Sequence, residues 1–188
     1  MNQIDLNNKI AVITGAAQGF GAAIARRLAE AGARVVVADR NGDGAKQKAK
    51  EIQKMGYEAY PETVDIFDVA LVKGMVCRIV SEIGRVDILV NNAGIFSNCY
   101  FENMPVEEFQ STLNVNVVGT FNCTQAVVRE MKKDRNGGSI VNIASVDAFK
   151  PSAEGLAHYT TTKHAIGGLT RALAMELGAS NIRVNAVC

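Results

Sequence analysis

The sequence predicts an α/β fold, a doubly wound parallel sheet with helices on both faces. Three observations carry that expectation. Strand-like and helix-like segments alternate from one end of the chain to the other. The second strand-like run, Arg34–Asp39, is continuous in valine, as a strand buried on both faces is. A glycine-rich stretch, TGAAQGFG at Thr14–Gly21, joins the first strand to the first helix.

Lys9–Thr14 (KIAVIT) is an apolar run cut off by Gly15, and it reads as the first strand. Ile24, Leu28 and Ala31 put an apolar stripe on the helix that follows, which Gly32 closes. After the valine strand, Lys46–Met55 reads as a charged helix and Glu58–Val64 as a weaker strand. Asp68 is placed to cap the next helix, whose stripe runs Val72, Met75, Val76, Ile79, Val80, Ile83 and whose end is Gly84. Val86–Val90 is the fourth strand. Pro105 stands where a first-turn proline belongs, and one long helix is expected from there towards Lys133. Gly138–Ala144 is the fifth strand and Tyr159–Leu177 a further helix. In the closing stretch, Ile182, Val184 and Ala186 alternate with Arg183, Asn185 and Val187, which reads as a sixth strand. Strands separated by helices imply right-handed crossovers. With no internal repeat or linker, residues 1–188 are expected to form a single domain.

A chain of 188 residues, 48% hydrophobic and 21% charged, can bury a sizeable core. Its formal net charge of +1 gives no electrostatic case for nucleic acid or an anionic membrane. The longest basic cluster, Lys132, Lys133 and Arg135, is broken by Asp134 and suits a solvated helix end. MNQIDLNNK at the N-terminus lacks an apolar signal core, and no segment approaches the ~18 apolar residues of a membrane span, so a cytoplasmic protein is expected. Cys77, Cys99, Cys123 and Cys188 form no C-x-x-C pair, and His158 and His164 are the only histidines. No metal site is therefore expected, and the thiols are expected to be free.

Glycines in TGAAQGFG allow a tight turn and let a phosphate approach bare backbone amides. The helix N-terminus behind them offers open N–H groups and a positive dipole end. Asp39, 18 residues beyond Gly21, stands at the end of the second strand. A carboxylate there accepts the ribose hydroxyls of adenosine and repels a 2′-phosphate, which favours NAD over NADP. Arg40 beside it is either a solvated turn residue or a rival holder of that phosphate.

HYTTTKH (His158–His164) puts Tyr159 and Lys163 on one helix face, four residues apart. A free tyrosine has a pKa near 10 and is a poor base. A nearby ammonium and the positive ring of an oxidised nicotinamide favour its phenolate. Such a tyrosine can take the proton of an alcohol while hydride leaves for the cofactor.

TGAAQGFG, NNAG at Asn91–Gly94, NVVG at Asn116–Gly119, Ser145 and YTTTK at Tyr159–Lys163 occur in that order. In this the sequence resembles the short-chain dehydrogenase/reductase family along essentially its whole length, and IRVNAV at Ile182–Val187 resembles the family's sixth strand. The resemblance implies a Rossmann-type sheet of order 3-2-1-4-5-6 and an NAD(H)-dependent oxidoreductase interconverting a secondary alcohol and a ketone. It implies Tyr159 as catalytic acid/base, with Lys163 binding the nicotinamide ribose and tuning Tyr159. Ser145 would hydrogen-bond the substrate oxygen, with Ser152 as a rival. Asn116 would hold a water linking Lys163 to solvent. Gly15, Gln18, Gly19, Phe20 and Gly21 would hold the cofactor together with Asp39, Asp65 near adenine, and Asn91, Ala93 and Gly94 after the fourth strand. Ser145 and Tyr159 are 14 residues apart, one more than the commonest family spacing.

Family members continue past this sixth strand into a Pro-Gly turn, a substrate-covering loop and a seventh strand. The sequence stops at Cys188, before any of these, so the working enzyme is expected to include residues beyond it. Val146, Asp147, Phe149, Glu154 and His158 flank the catalytic positions and are expected to line or rim the substrate pocket. Two other functions remain open: a 3-oxoacyl-thioester reductase, and a dinucleotide-binding protein or fragment without catalysis. The resemblance also implies a homodimer or homotetramer, through the helices near Pro105–Lys133 and Tyr159–Leu177.

Overall fold

The computed structural model describes residues 4–134 and 136–188. The first three residues of the N-terminal stretch and Arg135 of the basic cluster lie outside the described residues. Among those described, six strands form one sheet: β1 (Ile10–Thr14), β2 (Arg34–Asp39), β3 (Ala59–Thr63), β4 (Ile88–Asn91), β5 (Gly138–Ile143) and β6 (Ile182–Val187). Every pairing is parallel and the order is β3-β2-β1-β4-β5-β6, as expected. The chain works outward from β1 to β3, then returns to lay β4 on the other side of β1. That reversal opens a crevice beyond the C-terminal ends of β1 and β4, where ligands of such sheets bind.

Alternate residues of the strands face opposite layers. Ala11, Ile13, Val35, Val37 and Val90 pack with Ala25 and Ala29 of α1 (Gly19–Glu30) and Ala45, Ala49 and Ile52 of α2 (Gly42–Lys54). Ile10, Val12, Val36, Leu89 and Ile140 face the other way. They meet Met75 and Ile79 of α3 (Val69–Glu82), Cys123, Val127 and Met131 of α5 (Thr120–Met131), and Leu177 of α6 (Ala157–Leu177). Burial pushes the Cys123 thiol up to about 12, which makes it inert packing. Cys77, Cys99 and Cys188 are free as well. No helix of the described residues is long and apolar enough to cross a membrane.

Several boundaries differ from the sequence reading for local physical reasons. In α1 the buried positions are Gly21, Ala22, Ala25 and Ala29, while Ile24 and Leu28 are half-buried and Ala31 caps the end. Alanine lets that helix lie close on the sheet, and the larger residues flank the contact. Helix α2 starts at Gly42, four residues early, because Asn41 caps it by accepting from Gly44 N at 3.0 Å. Asp68 caps α3 as expected, accepting from Ala70 N and Leu71 N. Pro105 is the N-cap residue rather than the first helical one. The long helix behind it is three pieces: α4 (Val106–Leu113), a π-helical stretch Asn114–Gly119, and α5. In β6, Ile182 and Val184 are buried while Arg183, Asn185 and Val187 are exposed, so the alternation marks a half-covered strand.

Candidate active site

The glycine stretch and the segment after β4 are stitched together at the crevice. Thr14 Oγ1 accepts from Asn92 N and Ala93 N, both at 3.1 Å. The Asn92 amide donates to Thr14 O at 2.9 Å and Gly15 O at 3.0 Å. Gly15 has φ +63, and a Cβ there would lie 2.7 Å from Ala93 Cα, so only glycine fits. A Cβ on Gly21 would overlap Gly15 O and Asn92 Nδ2. The Gln18 side chain does not cap α1, which leaves the first-turn N–H groups available to a ligand. A bare backbone cradle at an uncapped helix start fits a dinucleotide pyrophosphate.

Gly15, Gln18, Gly19, Phe20, Asp39, Asp65, Ala93 and Gly94 all line one cleft of about 390 Å³. Asp39 ends β2 there, its carboxylate accepting from Ala17 N at 3.0 Å and Asn41 N at 2.9 Å. Arg40, Ile66, Asn92 and Ile95 complete the wall. Gly21 is buried behind it. Asn91 departs from the sequence reading. It is 4% exposed, and its amide points into the interior, donating to Thr124 Oγ1 and Asn142 Oδ1, each at 2.9 Å. Alternation along β4 turns Asn91 inward and leaves Asn92, which the reading passed over, as the residue that braces the cleft.

Tyr159 and Lys163 lie one turn apart on α6, with Lys163 Nζ 5.3 Å from the Tyr159 ring centre. Phe96, from the segment after β4, sets its ring 5.6 Å from that of Tyr159 at a 56° tilt. Lys163 is buried, donates to Ile143 O at 2.7 Å, and is lowered by that burial to about 8. The Tyr159 phenol is raised from its ordinary value. Burial dominates, the Ser145 hydroxyl pulls the other way, and Asp147 adds to the rise. The Lys163 ammonium is spent on a backbone carbonyl and does not offset the burial.

Asn116, in the π-helical stretch, is 2% exposed and clamps the chain after β4. Its Oδ1 accepts from Ile95 N at 2.8 Å, and its Nδ2 donates to Ile95 O at 2.9 Å and Thr162 Oγ1 at 3.1 Å. Ser145 follows β5 and caps the short turn Val146–Ala148. Of the residues expected to rim a substrate pocket, Val146, Phe149 and Glu154 are exposed, but Asp147 and His158 are buried. Ser97 Oγ donates to Glu108 Oε1, so His158 Nε2, 2.9 Å away, carries a proton and donates to Ser97. His158 is thus a packed histidine. Among the described residues, no group of three or more His, Cys, Asp or Glu side chains could hold a metal.

Residues 9–188 match the family model described as short chain dehydrogenase. The chain is 38% identical over 187 residues to a 3α-hydroxysteroid dehydrogenase of Mediterraneibacter gnavus, covering 97% of this chain and 73% of that one. A gluconate 5-dehydrogenase from Burkholderia cenocepacia, solved with NADP and tartrate, superposes with TM-score 0.93 at 33% identity, over 98% of this chain and 72% of that one. A 7α-hydroxysteroid dehydrogenase, solved with NADH and 7-oxoglycochenodeoxycholic acid, gives TM-score 0.92 at 38% identity, over 98% and 71%.

Proposed function

Since the chain belongs to the short-chain dehydrogenase family, oxidoreductases that bind a nicotinamide dinucleotide, we propose that it interconverts a secondary alcohol and a ketone with NAD(H). The observation that carries this reading is the placement of Tyr159, Lys163 and Ser145 at the C-terminal end of β5, on the same side of the sheet as the glycine cleft. Residues 1–188 belong to a single dinucleotide-binding and catalytic domain. Gly15, Gln18, Gly19, Phe20 and Gly21 form the pyrophosphate cradle, Asp65 stands near the adenine, and Ala93 and Gly94 floor the nicotinamide side. Asp39 at the ribose end disfavours the 2′-phosphate of NADP.

When bound, the nicotinamide accepts or returns the hydride at the carbinol carbon. Tyr159 supplies the proton. In ketone reduction its phenol, held protonated by burial, donates to the carbonyl oxygen as hydride arrives. In alcohol oxidation its phenolate takes the hydroxyl proton. The Ser145 hydroxyl donates to the same oxygen and stabilises charge as it builds. Lys163, beside the Tyr159 ring, would bind the nicotinamide ribose. Asn116 fixes the segment after β4 through Ile95, and any water relay at Asn116 must share partners its side chain already holds. The chain pairs as a homodimer or homotetramer through α4–α5 and α6, where Val106, Phe121 and Met175 are exposed.

The test is Tyr159→Phe in the full chain, with a panel of secondary alcohols and NAD⁺. We expect turnover to fall by roughly a hundredfold or more while NADH affinity holds, and NADH to bind more tightly than NADPH. Unchanged turnover in the variant would refute the assignment. NADH binding without turnover by either protein points to a dinucleotide-binding protein without catalysis.

A further inference from the structure

Asp147 is 2% exposed and lies two residues from Ser145, yet the chemistry above makes no use of it. Its carboxylate accepts from Ser145 Oγ at 3.0 Å, Ser152 N at 3.1 Å, Ser152 Oγ at 2.7 Å and Thr160 Oγ1 at 2.8 Å. Among the described residues no cation pairs with it. A buried carboxylate without a counter-ion normally takes up a proton. Burial does push Asp147 upward, but the hydrogen bonds from Ser152, Thr160 and Ser145 outweigh it and hold the group below the usual carboxylate range. An ionised carboxylate only accepts, so all four bonds run towards Asp147.

That fixes where the Ser145 proton points. Ser145 has one hydroxyl proton, given to Asp147, while its oxygen accepts from Asp147 N at 3.1 Å. The proposed reaction, on which this inference rests, needs the same proton on the substrate oxygen. We propose that Asp147 is a positioning residue that holds the Ser145 hydroxyl proton in the resting site and yields it when negative charge forms on the substrate oxygen or on Tyr159. Yielding costs little, because Ser152 and Thr160 still supply three donors. The same carboxylate ties the start of the Ser145–Tyr159 connection to its middle and to the first turn of α6.

The charged groups around the Tyr159 phenol are Lys163 from α6 itself and Asp147 from the turn after β5. His158 faces away, towards Ser97 and Glu108. Asp147 disfavours the phenolate by its charge, and it competes with Tyr159 for the single Ser145 proton. Removing the charge therefore lowers the pH at which Tyr159 ionises.

The experiment is an ultraviolet titration of phenolate in the full chain, with Tyr159 isolated as the difference from Tyr159→Phe. Asp147→Asn is expected to move the Tyr159 transition down by about one pH unit. Adding Ser145→Ala is expected to restore part of that shift. An unmoved or raised transition overturns the proposal. Ser152→Ala/Thr160→Val keeps the carboxylate but leaves it fewer donors, so Ser145 is gripped harder and the transition should rise. That double variant decides the matter if Asp147→Asn fails to fold, and a fall or no change in it overturns the proposal. Turnover of Tyr159→Phe tests the reaction separately: full activity there removes the proposed chemistry, whereas an indifferent titration removes only the role of Asp147.

Discussion

Lys163 is a cation kept where water cannot reach it. It is 7% exposed and burial lowers it from 10.5 to about 8. In the unfolded chain it regains its ordinary value, so between pH about 8 and about 10.5 the unfolded state binds more protons than the folded one. The penalty for burying the charge is fully present below about 8 and is relieved as pH rises through that window. Chemical denaturation of wild type and Lys163→Met should show wild type gaining on the variant across it, by something on the order of 3 kcal/mol. A constant difference would mean the amine is not desolvated. At this scale the sequence announces residues whose chemistry needs a fixed spacing: Tyr159 and Lys163 can share a helix face only at such an interval. Asp147 was expected at the rim of the pocket, and its burial was not legible because its partners Ser152 and Thr160 meet it only after the connection folds back. Nor was the raised Tyr159, since burial is a property of the packed molecule rather than of the pair.

At the scale of elements, the start of α1 and the glycine stretch behave as one part. The two approach so closely that a Cβ on Gly21 has no space between Gly15 O and Asn92 Nδ2. Gly21→Ala must displace backbone rather than the end of a flexible side chain. We expect a loss of about 1–3 kcal/mol in stability and a fall in NADH affinity of about tenfold or more, read by denaturation and by nicotinamide fluorescence. A variant with unchanged affinity would show that the cradle does not take the pyrophosphate. Strands were legible here because a strand buried on both faces reads as a continuous apolar run, as Arg34–Asp39 shows. Helix starts were less so: two glycines disguised the first turn of α2, although Asn41 was there to cap it. The π-helical stretch was hidden for a different reason. A single extra residue in a helix changes the hydrophobic pattern little, yet here it accompanies the turn of Asn116 towards Ile95.

Across the whole molecule, a row of buried polar groups ties the two sides of the site together. Thr124 of α5 accepts from Asn91 of β4, Asn91 donates to Asn142 of β5, and Asn142 donates to Thr170 of α6 at 2.9 Å. Asn91 and Asn142 are register partners in the sheet, so the row follows one face from helix to helix. Polar groups at 4% and 1% exposure are costly unless bonded, and this arrangement bonds them to each other. Immediately beyond Asn91 the chain forms one wall of the cleft, and shortly beyond Asn142 it reaches Ser145. Asn142→Ala removes an acceptor from Asn91, a donor from Thr170, and the volume between two strands. It should cost about 2–4 kcal/mol, whereas Thr124→Val, which leaves Asn91 bonded to Asn142, should cost about 1 kcal/mol. Equal costs in denaturation would mean the row is not cooperative. If the row also sets the spacing of the two loops, Asn142→Ala loses more turnover than NADH affinity, because Ser145 follows three residues behind it whereas Asn92 and Ala93 keep their own bonds to Thr14 and Gly15.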